Sequence, residues 1–67
     1  MIKNMGLRIM MKRKMKGITQ EKLANELGIS KATLVKWEKD GTDKLSNIEI
    51  LSNYFNVPGS YFLNEEE

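Results

Sequence analysis

The sequence contains no cysteine and no histidine. Disulfides, thiolate metal sites and histidine-based acid–base or metal chemistry are therefore excluded. A zinc site would need carboxylates alone, and neither a metal nor a cofactor is expected. Proline occurs once, at Pro58, and no Ser- or Pro-rich linker divides the chain. No apolar run approaches the ~18 residues of a membrane span. The basic N-terminus has no uninterrupted apolar stretch of the secretory kind. No membrane association is expected, and the expected location is the cytoplasm. Acids are missing from residues 1–16 and bases from residues 45–67.

What is present fits one small domain over residues 1–67, with its core at about 5–63 and an acidic tail at 64–67. Hydrophobic residues make up 40% of the 67. A domain this size buries only roughly 60% of its unfolded surface, so its stability is marginal. With disulfides and metals excluded, a partner subunit is the reinforcement left. An enzyme is not expected. Only Ser, Thr, Lys, Tyr and carboxylates are on hand for chemistry, and so short a chain rarely builds a closed pocket.

Charge is segregated. Residues 1–16 carry Lys3, Arg8, Lys12, Arg13, Lys14 and Lys16 without an acid, a balance of +6. Residues 45–67 carry Glu49, Glu65, Glu66 and Glu67 without a base, a balance of −4. A basic front suggests an anionic partner on that side. A solvated helix face accounts for the same pattern.

Glycines and Pro58 punctuate the chain at short intervals, and the segments between them are rich in Lys, Glu, Leu and Met. They read as helices, giving an all-α fold of five short helices. The first spans about Met5 to Met15, with Asn4 placed to cap it. The second spans about Gln20 to Leu27, between the N-cap candidate Thr19 and Gly28. The third spans about Lys31 to Lys39 and is capped by Ser30. A loop runs from Asp40 to Leu45. The fourth spans about Asn47 to Phe55, where Ser46 and Glu49 have the spacing of a capping box. A last turn covers Pro58 to Leu63, with proline near its first position. Only Gly28, Ile29 and Ser30 separate the second helix from the third. A three-residue turn with glycine between two short helices is the helix-turn-helix signature, although an ordinary helical hairpin has similar turns.

The stretch from Ile18 to Glu38 reads ITQEKLANELGISKATLVKWE. It resembles the lambda-repressor-like, Cro/XRE-type helix-turn-helix family of DNA-binding regulators. The matching positions are Thr19-Gln20, Leu23-Ala24, Gly28, Ser30, Thr33, Trp37-Glu38 and Gly41, and the likeness covers about residues 5–63. Three departures stand out. The loop after Glu38 is one residue longer than usual. Lys44-Leu45-Ser46 replaces the common proline before the fourth helix. The first helix is unusually rich in methionine.

The resemblance implies a sequence-specific transcriptional regulator of double-stranded DNA, a small repressor acting as a homodimer on a palindromic operator. Helices two and three would form the reading unit. Gln20 would hold a phosphate at the groove edge, beside Thr19. Lys31, Ala32 and Lys36 would face base edges, with Thr33 between base and backbone. Ser30 would cap first and touch phosphate second. Lys39 would extend the basic face. Arg13 would pair with Glu38 and tie helix one to the end of helix three. Trp37, Tyr54, Phe55, Tyr61 and Phe62 read as mostly core by helical spacing, and Tyr61 and Phe62 also lie where such proteins often pair subunits. Val35 should face outward. Met5 and Ile9 should pack in the core, leaving surplus methionines for a partner-facing patch. With the domain filling nearly all of the sequence, control would come from abundance, competition or a regulatory protein partner. The competing expectation is a protein-interaction module on the same fold, an antitoxin or anti-repressor, which would not need a basic recognition face.

Overall fold

The computed structural model describes residues 4–63, and among these it is all-helical. The five helices are α1 (Met5–Met15), α2 (Gln20–Leu27), α3 (Lys31–Asp40), α4 (Leu45–Phe55) and α5 (Ser60–Leu63). No described helix is long and apolar enough to cross a membrane.

The central elements have clear local causes. Thr19 is extended, and its hydroxyl accepts the Lys22 amide at 3.0 Å, which opens α2. Gly28 closes α2 with φ of 76°, a left-handed conformation that costs a glycine nothing. The Ile29 amide then reaches back to the Ala24 carbonyl at 3.0 Å, and the chain turns into α3. Ser30 accepts the Thr33 amide at 3.1 Å and starts that helix. Such a cap contributes about 1 kcal/mol.

Three helix starts differ from their sequence expectation. Asn4 sits in the left-handed region at φ 66°, and its side chain makes no cap hydrogen bond. Its carbonyl accepts the Arg8 amide instead. α4 begins at Leu45, two residues early, with Lys44 in the cap position. Ser46 therefore lies inside the helix, and the capping box with Glu49 does not form. Thr42 shapes this entrance, its hydroxyl accepting the Lys44 amide at 3.3 Å and the Asn47 side-chain amide at 3.0 Å. α5 starts at Ser60, so Pro58 precedes it and contributes a carbonyl to the Tyr61 amide.

The core joins Met5 and Ile9 of α1, Leu23 and Ala24 of α2, Leu34 and Trp37 of α3, Ile48 and Leu51 of α4, and Phe62 of α5. α1 packs most extensively on α3. Gly6 makes that approach possible. A β-carbon there would lie 2.3 Å from the Glu38 carbonyl oxygen and 2.9 Å from that of Trp37. Gly6 is thus a point of close contact inside a helix. Phe62 is fully buried and stacks edge-on against Tyr61 at 5.0 Å. This agrees with the core reading of Phe62, and a side chain filling the core has little face to offer a second chain. Tyr61 alone of that pair reaches the surface, between Arg8 and Lys12, whose charged groups lie 5.3 and 5.1 Å from its ring centre.

A surface pair joins α2 to α4. The Tyr54 hydroxyl donates to Glu26, which also takes Lys22 at 3.3 Å. The hydroxyl first and the lysine second hold the Glu26 carboxyl below its ordinary range, and the carboxylate in turn raises the Tyr54 phenol. A lowered carboxylate stabilises the fold above its unfolded pKa and loses that contribution as pH falls through the folded value. Tyr54→Phe should return the Glu26 titration toward the ordinary range, read by NMR of its side-chain carboxyl. An unchanged titration would mean the hydroxyl does not reach it.

Candidate nucleic-acid interface

α3 has a sharp division of faces. At about 100° per residue, Lys31, Val35, Lys39, Ala32 and Lys36 follow one another over an arc of about 140°. All five are exposed. Leu34 and Trp37, on the other side, are buried in the core. The same packing that anchors α3 therefore aims this arc at solvent. Among the described residues, none of its three lysines is in an ion pair, and the arc itself contains no acid. Three unspent cations flank two small apolar side chains. Such a surface fits a polyanion that also carries methyl groups.

The hydroxyls at the start of α3 are coupled. Ser30 Oγ and Thr33 Oγ1 are 2.9 Å apart, and either can donate to the other. Two hydroxyls have two hydrogens and share one bond. Whichever donates inward, the other keeps a hydrogen for an outside acceptor. Ser30 and Thr33 are thus a cap and an outward donor together.

The N-termini of α2 and α3 meet at a polar cleft lined by Arg13, Thr19, Gln20, Glu21 and Lys31. Four residues singled out from sequence come together here. Arg13 is the organiser. Its Nε donates to Glu38 Oε2 at 2.7 Å and its Nη2 to Oε1 at 3.3 Å. Its Nη1 donates to the Ile18 carbonyl at 2.9 Å, gripping the chain just before α2. Both side chains of the ion pair are largely buried. Helix one, the entry to α2 and the end of α3 are fixed by this one guanidinium.

Gln20 joins the same group. Its Nε2 donates to Glu38 Oε1 at 3.0 Å, so its side chain turns inward. One Nε2 hydrogen remains, together with the unpaired main-chain amides that open any helix. Glu21 brings negative charge to the cleft rim, opposing an anion there. Lys31 offsets it from the α3 side.

The remaining sequence candidates lie apart. Lys39 is near the C-terminal end of α3, more than two turns from Lys31. Tyr61 sits against α1 and Phe62 in the core, both outside the α2–α3 face. Val35, given no role by sequence, stands between Lys31 and Lys39 on the exposed arc. Its spacing of four from Lys31 was the signal. The inward turn of Gln20 had no local signal, because Glu38 is 18 residues away in sequence.

Comparison with known proteins agrees with this geometry. A family model described as helix-turn-helix matches residues 9–62. A protein of Sinorhizobium medicae called an uncharacterized HTH-type transcriptional regulator is 39% identical over 64 residues, covering 92% of this chain and 45% of the relative. A similarly named protein of Rhizobium meliloti has the same identity and coverage. The chain thus spans about half the length of the curated relatives it matches. No solved structure gives a significant match. With its family model covering most of the sequence, its all-helical architecture and its glycine turn between α2 and α3, the chain belongs to the lambda-repressor-like, Cro-type helix-turn-helix family.

Proposed function

We propose that this domain binds double-stranded DNA in a sequence-specific way and regulates transcription as a homodimeric repressor in the cytoplasm. The observation that carries the reading is the α3 arc: Lys31, Lys36 and Lys39 exposed, and in no ion pair among the described residues, around Ala32 and Val35. In this account α3 lies in the major groove. Lys31, in its first turn, donates to guanine O6 or N7, and Ala32 meets a thymine methyl. Lys36, about 140° around from Lys31, works on the flank of the same groove. Lys39 takes a phosphate. Ser30 or Thr33 gives its spare hydroxyl hydrogen to the backbone. The main-chain amides at the start of α2, beside Thr19, and the remaining Gln20 hydrogen take another phosphate. No step of this mechanism makes or breaks a covalent bond. A domain seated in the groove excludes other proteins from that site, so repression asks for no further surface.

A protein-interaction module on this fold has no use for three unpaired lysines on one helix, which favours DNA. Selection from random duplexes tests the proposal. The expected product is a two-fold palindrome whose half-site centres lie roughly 34 Å apart, with two chains per site in sedimentation. No enriched sequence would sink DNA reading. A single half-site holding one chain would sink the dimer alone.

A further inference from the structure

Among the described residues, nothing covers the outer face of α1. Leu7 and Met11 are each 48% exposed and Met15 is 74% exposed. They recur every four residues, so they form one stripe within about 80° of arc. Met5, Gly6 and Ile9, on the other side, are buried against the core. The stripe therefore points away from α3 and its lysine arc. A groove lined by Asn4, Leu7, Arg8, Met11 and Tyr61 continues the stripe toward α5. Two flexible thioethers give a surface that adapts to an irregular apolar partner.

The charge around the stripe selects the partner. From Met5 to Lys16 the helix carries Arg8, Lys12, Arg13, Lys14 and Lys16 and no acid. Arg13 is engaged with Glu38. Lys14 borders the stripe by helical spacing, Arg8 and Lys12 lie at the Tyr61 end of its groove, and Lys16 turns aside to lie 5.0 Å from the Tyr54 ring centre. Neither a bare apolar peptide nor DNA matches this surface: the first leaves the lysines unanswered, the second leaves the methionines unused. A second copy presenting the same face would set lysine against lysine. We propose that the outer face of α1 is a docking surface for an acidic amphipathic helix of another protein. Leucine-like side chains would fill the stripe and groove, and carboxylates would meet Lys12 and Lys14. This inference does not depend on DNA binding.

The test uses a synthetic helix of about 18 residues with leucines every third or fourth position and glutamate on both flanks, and a copy with lysine in place of glutamate. The acidic probe should bind the full chain at least about tenfold more tightly than the basic one in fluorescence anisotropy. It should shift the NMR methyl signals of Leu7, Met11 and Met15. Met11→Glu should weaken it about tenfold, with the melting curve and binding to a selected duplex unchanged. Leu7→Gln is the second variant should Met11→Glu not fold, with the same expected loss. Equal affinity for both probes, no binding of either, or full binding by a folded variant would overturn the proposal. So would self-association in sedimentation abolished by Met11→Glu, which makes a second copy the occupant. Binding to anionic phospholipid vesicles in place of the acidic probe would overturn it in favour of a membrane surface.

Discussion

Glu38→Ala should lower the stability of the domain by about 3 kcal/mol, the cost of stranding a largely buried partner charge. Glu38 accepts two bonds from Arg13 and one from Gln20, so one truncation leaves three donors short of an acceptor. Arg13 keeps its bond to the Ile18 carbonyl, which holds the guanidinium in place rather than letting it swing to water. A 67-residue domain has roughly 3–10 kcal/mol to lose, so this single change approaches the whole at the low end. Its melting temperature should fall by about 12–24 °C, measured by circular dichroism. Arg13→Met with Glu38→Leu should recover part of the loss, because apolar side chains of similar volume need no counter-charge. Strictly additive losses would mean that the two groups are energetically independent.

Gly6→Ala should also destabilise, against its intrinsic helix propensity. Alanine is favoured over glycine in a helix by about 1 kcal/mol. The added methyl, however, would stand 2.3 Å from the Glu38 carbonyl oxygen, and backbone cannot swing aside as a side chain can. Overpacking of this kind costs about 3 kcal/mol. The clash wins, and the net loss should be about 2 kcal/mol by urea denaturation. Because the contact is at Glu38, the variant should also disturb the Arg13 ion pair. A neutral or stabilised Gly6→Ala protein would show that α1 can move off α3 at little cost.

These two residues mark what was legible in the sequence and what was not. α2 and the start of α3 fall where their punctuation predicts, because Thr19, Gly28 and Ser30 act through bonds within a few residues. The exposed arc of α3 follows from helical spacing alone. Gly6 was not legible, since its reason is the approach of another helix. Nor was the start of α4: Ser46 and Glu49 have the spacing of a box, but Thr42 fixes the entry from outside that window. Gln20 turns inward because Arg13 and Glu38, distant in sequence, meet beside it. Phe62 reads as core by helical spacing, and the packing of α5 buries it fully. The residue types chosen by local bonding could be read directly, and those chosen by contacts between helices could not.

The central claim is that α3 reads bases through Lys31. Its most direct measurement is random-duplex selection run side by side on the original protein and on Lys31→Ala, followed by titration of both on the preferred duplex. The account predicts a loss of about 1–3 kcal/mol on that duplex and a changed base preference at one position in each half-site. A uniform loss of affinity on every duplex, with the selected sequence unchanged, would contradict it and make Lys31 a phosphate contact.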